Sequence, residues 1–235
     1  MNEIETLKKY FGYDAFREGQ KELITNILQG KDVLGIMPTG AGKSICYQVP
    51  AAMMEGITLV ISPLISLMKD QVGTLNENGI RAAFFNSSLT FAQYQKALQL
   101  AKQYTYKIIY VAPERLLNDE FLAFAKQMNI AMVCVDEAHC VSQWGQDFRP
   151  HYLQIQSFLK QLPKRPIVSA FTATATSEVK ADIIRLLDMK QPFEITTGFD
   201  RKNLYFAVEK PKDKYQALLS YVKENKNQSG NCFIV

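Results

Sequence analysis

Histidine and cysteine are scarce in this chain, and what there is of them is scattered. Cys46, Cys134, Cys140 and Cys232 show no C-x-x-C spacing, and Cys134 lies inside an apolar run. That pattern leads us to expect reduced thiols in a cytosolic protein rather than a disulfide framework. His139 and His151 are the only histidines, too few and too dispersed for a structural zinc site. No apolar stretch approaches the ~20 residues that cross a bilayer, so no membrane partner is expected. The opening Met1-Asn2-Glu3-Ile4-Glu5 is acidic and has no signal-peptide h-region. Charge of one sign is not in strong excess either. With 27 basic and 23 acidic residues the net charge is +4, which permits a polyanionic partner without requiring one. No internal repeat is visible. What remains is a globular composition, 47% hydrophobic and 21% charged over 235 residues, enough for one large domain or two small ones.

Apolar runs of strand length recur at 33–37, 57–61, 81–85, 107–111, 130–135 and 166–171. They are nearly continuous rather than alternating, as parallel strands covered on both faces should be. Helix signals separate them. Ser62-Pro63 reads as an N-cap with proline at the first helical position, ahead of Leu67, Met68, Gln71, Val72 and Leu75. Thr90 and Gln93 form a capping box before Tyr94, Ala97, Leu98 and Ala101. Thr176 can cap the helix bearing Val179, Ile183, Leu186 and Leu187. Pro50 should kink or end the helix that begins near residue 44. The alternation predicts an α/β fold, a mostly parallel sheet with helices on both faces and functional groups at the strand carboxyl ends. Farther on, 203–209 alternates like an exposed edge strand, and Tyr215, Leu218, Leu219 and Val222 make a helix stripe. A polar linker follows at 225–231, and Cys232-Phe233-Ile234-Val235 resumes a strand pattern, as if a further domain began there. We therefore expect one domain over 1–210 and the start of a second over 211–235.

Chemistry concentrates in three places. Met37-Pro38-Thr39-Gly40-Ala41-Gly42-Lys43-Ser44 sits between an apolar strand and a helix start. Strand, glycine-rich turn, Gly-Lys-Ser, helix is the order of a phosphate-binding loop, with Lys43 for the β/γ-phosphates and Ser44 for Mg²⁺. Met37 stands where the pattern asks for glycine, and a chance Gly-Lys-Ser at a helix start is the alternative. Val133-Cys134-Val135 ends in Asp136-Glu137-Ala138-His139. After a phosphate loop such a strand end can hold Mg²⁺ through Asp136 and orient an attacking water through Glu137; alone, Asp-Glu is more often a solvated loop start. Cys140 to Pro150 then carries the only tryptophan, Trp144, with Gln143, Phe148 and Arg149. Aromatic faces beside arginine suit single-stranded bases, or else they anchor a loop on the domain. Thr172 and Thr174 close the 166–171 run, either as plain hydroxyls near a helix start or as a switch sensing nucleotide. Tyr13, Arg17 and Gln20 could frame an adenine by stacking and amide pairing.

Taken together these stretches closely resemble the first RecA-like lobe of RecQ-type DNA helicases of superfamily 2. The residues that carry the resemblance are Phe16-Arg17 with Gln20, Met37 to Ser44, Ser62 to Gln71, Ala112 to Leu116, Asp136 to His139, Ser142 to Pro150 and Thr172 to Ala175. The Ser-Gln-Trp-Gly and Asp-Phe-Arg-Pro pieces are close to diagnostic. Glu18 stands where this family usually has proline, and Gln146 where it usually has histidine. The first loop position is not reliably glycine in this superfamily, so Met37 fits.

The resemblance implies ATP and Mg²⁺ as cofactors. It implies an adenine site at Tyr13, Arg17 and Gln20, and a triphosphate cradle at Thr39, Gly40, Gly42, Lys43 and Ser44. Asp136 would hold the metal with Ser44, Glu137 would activate water and His139 would couple. Gln143, Trp144, Phe148 and Arg149 would link DNA to hydrolysis, with Ser62, Pro63 and the turn at Asn86-Ser87-Ser88 as backbone contacts. The parent protein would run 3′ to 5′ on single-stranded and partly duplex DNA, as a monomer in the bacterial cytosol, in recombination and repair. A second lobe would supply an arginine finger, so this length of chain should hydrolyse ATP poorly. Two other readings are an RNA-directed ATPase of the same superfamily and a non-catalytic module that binds nucleic acid in response to nucleotide.

Overall fold

The computed structural model describes residues 1–198 and 210–224. The chain divides into two compact units, 1–199 and 200–235, upstream of the 210/211 boundary expected from sequence. The sequence patterns at 203–209, 225–231 and 232–235 lie outside the described residues.

In the first unit the strands are β1 (Val33–Ile36), β2 (Ile57–Ile61), β3 (Ala82–Phe85), β4 (Ile108–Val111), β5 (Ile130–Val135), β6 (Ile167–Thr172) and β7 (Phe193–Thr196). They form one sheet in the order β3-β4-β2-β5-β6-β1-β7, and every neighbouring pair is parallel. Alternate residues of each strand enter opposite cores, as a two-residue repeat requires. Leu34, Ile36, Leu59, Ile61, Val133 and Val135 face one side. Val33, Val60, Met132 and Cys134 face the other.

Helices cover both faces. α5 (Phe91–Lys102), α6 (Asp119–Gln127), α7 (Gln154–Gln161) and α8 (Ser177–Leu186) bury Tyr94, Phe121, Phe158 and Ile183 on the first side. α2 (Gln20–Leu28), α3 (Lys43–Met53) and α4 (Ile65–Glu77) bury Leu23, Tyr47 and Met68 on the second. α1 (Glu3–Phe11) adds a smaller cluster in which Leu7 meets Ile24, Ile45 and Val49. The result is the three-layer α/β architecture expected, with every strand's carboxyl end on one edge. The second unit contributes α9 (Lys214–Glu224), on which Tyr215 and Val222 are exposed.

Local signals held where they were short in range. Thr90 and Gln93 make the reciprocal capping box of α5, and the Thr176 hydroxyl accepts from Val179 N at 3.3 Å to cap α8. One expectation is corrected and another is narrowed. Ser62 does not cap α4: its amide donates to Val111 O at 3.3 Å, extending the sheet ladder, so the helix starts only at Ile65 after Leu64. Of the two outcomes expected at Pro50, a kink or an end, the end is excluded: α3 continues to Met53, because only one intrahelical donor is lost that near the helix end.

The opposite edge, at the strand amino ends, is tied by one carboxylate. Asp32 is 3% exposed. It accepts from Arg165 Nη1 and Nη2 at 3.1 and 2.5 Å, from Val168 N at 2.9 Å and from Lys190 N at 2.7 Å. These bonds hold the chain just before β1, β6 and β7 together.

Candidate functional site

The glycine-rich turn leaves β1, the strand next to the β7 border, at the carboxyl edge and enters α3 at Lys43. Met37 N donates to Thr172 O at 2.9 Å, fastening the start of the turn to the end of β6. Gly42 has φ +81°, and a Cβ there would lie 2.5 Å from Gln20 Nε2, so only glycine fits. The Gln20 amide backs the turn, donating to Ala41 O and Gly42 O at 3.1 Å each, while its oxygen accepts from Arg17 N at 2.9 Å. Arg17 Nη1 donates to Gly40 O. The structure therefore joins Arg17 and Gln20 to the phosphate turn itself. Tyr13 is exposed, and Phe16, Arg17 and Glu18 line an open cleft of about 640 Å³. Thr39 and Gly40 are exposed, and Ser44 is half-buried in the first turn of α3. The Lys43 ammonium donates to Met37 O at 3.1 Å, so it folds back over the turn.

β6 lies between β1 and β5, which sets the acidic pair about two strand spacings, roughly 10 Å, from the turn. Asp136 follows β5 at the same edge, held by its amide to Ile61 O at 2.9 Å and by Tyr152 Oη donating to its carbonyl at 2.9 Å. Its carboxylate is 8% exposed and accepts from Glu137 N at 3.0 Å. Burial, with the charge of Glu137 adding to it, pushes its pKa up to about 6, while Lys43 partly offsets both. A buried oxygen donor with one hydrogen bond suits a hard cation. Among the described residues no three His, Cys, Asp or Glu side chains converge, so Mg²⁺ here would take Asp136 and the Ser44 hydroxyl, with the rest of its oxygens from phosphate and water.

Glu137 has φ +48°, a left-handed backbone that turns the chain sharply into the 3₁₀ turn Ala138–Val141. That turn brings His139 Nδ1 to 2.8 Å from Thr172 Oγ1 and 3.4 Å from Glu137 Oε2. Thr172 Oγ1 also donates to Thr174 O at 3.0 Å, which leaves its lone pairs for an Nδ1–H of His139. Acidic pair, imidazole and the β6 hydroxyls thus form one continuous set of contacts.

Past His139 the chain runs into the aromatic-rich loop. Trp144 is 79% exposed and Gln143 is exposed, while Phe148 and Arg149 are half-buried. Trp144, with His139, Gly145, Thr174 and Thr176, lines a second cleft of about 230 Å³. Arg149 pairs with Asp147 at 2.7 Å and donates from Nη1 to Pro63 O at 3.3 Å. Ser62 is buried and its hydroxyl has no partner among the described residues, so of that turn Pro63 is the part near the surface. Asn86 is likewise buried, accepting from Ser88 N and Oγ at 2.9 and 2.7 Å. Sequence reasoning missed Tyr152, and also Asp182, which accepts from Ser142 Oγ at 2.7 Å. Neither residue belongs to a motif, and both act across the fold.

The sequence matches the family model for the DEAD/DEAH box helicase over residues 17–182. It is 46% identical over 225 residues to the ATP-dependent DNA helicase RecQ of Bacillus subtilis (strain 168), covering 95% of this chain and 38% of that protein. It is also 46% identical over 228 residues to the ATP-dependent DNA helicase RecQ of Pasteurella multocida (strain Pm70), covering 97% of this chain and 36% of that protein. The chain therefore spans well under half the length of these curated relatives. Among solved structures, the DUF1998 helicase MrfA bound to DNA and AMPPNP superposes with a TM-score of 0.67 at 18% identity, over 84% of this chain and 29% of that one. A hypothetical ATP-dependent RNA helicase from Sulfolobus tokodaii gives 0.64 at 24% identity, over 83% and 57%. At those identities the shared property is the fold.

Proposed function

The chain belongs to the DEAD/DEAH-box helicase family, and we propose that it is the ATP-hydrolysing lobe of a 3′-to-5′ DNA helicase of the RecQ branch. The observation that carries this reading is the shared sheet edge. Lys43 follows β1 and Asp136 follows β5 on the same carboxyl edge, with β6 alone between those strands, and His139 bridges the acidic pair to Thr172.

In this reading Thr39 to Ser44 wrap the triphosphate, with backbone amides and the α3 amino end facing its charge. Lys43 leaves Met37 O to meet the β/γ-phosphates. Bound Mg²⁺ would neutralise charge developing on the phosphates. Glu137 orients the attacking water and accepts its proton. His139 holds Glu137 on one side and Thr172 on the other. Tyr13 and Arg17 take the adenine, and Gln20 keeps the turn in shape. Gln143, Trp144, Phe148 and Arg149 meet single-stranded DNA, with Pro63 at their flank. The parent protein acts as a monomer on single-stranded and partly duplex DNA in the bacterial cytosol, in recombination and repair. The relatives' extra length would hold the second lobe and its arginine finger, worth ~10³–10⁵ in rate, so this chain alone turns over slowly.

The test is ATP hydrolysis by the full-length protein with single-stranded DNA, with RNA of the same sequence and with neither. Stimulation by DNA that is lost in Lys43→Ala supports the reading. Stimulation by RNA alone would move the protein to the RNA-directed branch, and nucleotide binding without turnover in any of the three conditions would favour the non-catalytic module.

A further inference from the structure

Two stretches of chain cross twice beside the site. One runs from His139 to Ser142 and the other from Thr172 to Asp182. At the first crossing His139 Nδ1 meets Thr172 Oγ1 at 2.8 Å. At the second, Ser142 Oγ donates to Asp182 Oδ2 at 2.7 Å. Two crossings brace the segments against each other; with one removed, the remaining contact is a pivot.

The second crossing is the base of the aromatic-rich loop. Ser142 is completely buried, and its oxygen also accepts from Trp144 N at 3.2 Å. The other Asp182 oxygen accepts from the exposed Arg185 Nη2 at 2.6 Å, so the oxygen that meets Ser142 is separate from that surface pair. Gly145 packs directly on the first crossing: a Cβ there would lie 2.3 Å from His139 O. A shift at Ser142 is therefore passed to Gly145 and on to His139. The loop's far end is tied separately, Arg149 N to Cys140 O at 2.9 Å and Arg149 Nη1 to Pro63 O at 3.3 Å. Between the two posts Trp144 stands in solvent.

We propose that Asp182 is a positioning residue: through Ser142 it fixes the Trp144 loop on α8, and so sets how strongly bound single-stranded DNA acts on the His139–Thr172 pair. This rests on the helicase reading above. Asp182 touches neither nucleotide nor DNA; its effect passes through the loop base.

The experiment compares Asp182→Ala, Ser142→Ala, Asp182→Asn and Arg185→Ala in the full-length protein, titrating ATPase activity with single-stranded DNA. Asp182→Ala and Ser142→Ala should raise the half-saturating DNA concentration about tenfold, the scale of one charge-assisted hydrogen bond. DNA-free turnover and the KM for ATP should not move, and the double variant should be no worse than either single one. Asp182→Asn keeps an acceptor for Ser142, and Arg185→Ala keeps the carboxylate, so both should stay near wild type. In the 235-residue chain Trp144 is the sole tryptophan, and without DNA its fluorescence anisotropy should fall in Asp182→Ala but not in Asp182→Asn. Should Asp182→Ala fail to fold, Ser142→Ala, which removes a single hydroxyl, carries the same comparison. A DNA-stimulated wild type whose alanine variants respond identically overturns the role of Asp182 alone, as does Arg185→Ala proving equally damaging. A wild type that DNA does not stimulate overturns the helicase reading and this inference with it.

Discussion

Two buried aspartates sit at opposite edges of one sheet and live in different chemical circumstances. Asp32, beneath the strand amino ends, accepts four hydrogen bonds, two from Arg165 and two from backbone amides. Asp136, at the carboxyl ends, is almost as hidden, yet among the described residues its side chain accepts from Glu137 N alone, and its pKa is driven up to about 6. A buried charge is tolerable only when it is paired or coordinated. The lower carboxylate has everything it needs from the protein, while the upper one is left short. That difference separates a residue that holds the fold from one kept for a ligand.

Breaking the upper edge should cost activity without cost to the fold. Glu137→Gln is expected to lower DNA-stimulated turnover ~10²–10⁴-fold, with the urea midpoint unchanged. The lower edge should do the reverse. Asp32→Ala strands the Arg165 guanidinium and two amides, and a loss of ~3–5 kcal/mol is expected in urea unfolding, with undiminished turnover per folded molecule. A retained midpoint would show that the four-fold clamp is dispensable.

Asp136→Asn sharpens the contrast further. The folded pKa of this carboxyl lies above its ordinary 3.8, so the fold is favoured by the neutral form, and that advantage is lost as pH rises through about 6. The asparagine variant, with no charge to bury, should be more stable than wild type by on the order of 2–3 kcal/mol at pH 7.5 without nucleotide or divalent ions. The gap should close below pH ~4, and turnover should vanish at any pH. Equal unfolding midpoints at pH 7.5 would count against a frustrated carboxylate. The smallest effect belongs outside both edges: Trp144→Ala should weaken single-stranded DNA binding by ~1–3 kcal/mol and leave stability within ~0.5 kcal/mol, read by DNA titration and thermal melting.

How much of this was legible in the sequence depended on range. β1 to β6 announced themselves because burial on both faces demands apolar residues at every position. β7 did not: on the sheet border Phe193 and Ile195 are half-buried while Glu194 and Thr196 are exposed, and four such residues after Pro192 look like any loop. Caps spanning three residues, at Thr90 and Thr176, read true. The Ser62-Pro63 signal misled because a ladder bond to Val111, some fifty residues away, competed with the helix and won. The turn at Gly40 to Ser44 and the Asp136-Glu137 pair were visible because each rests on one strand end. The link from Ser142 to Asp182 spans 40 residues between two common residue types, and no local pattern encodes it.

The grip of Gln20 on Ala41 and Gly42 has a practical corollary. Anyone trimming this polypeptide for biochemical screening will be tempted to begin just ahead of Val33, since the recognisable signature survives intact. Such a cut would leave a cradle of correct spelling and slack shape, and ligand uptake would then have to organise it from scratch. The first thirty-odd residues are best treated as part of the receptor.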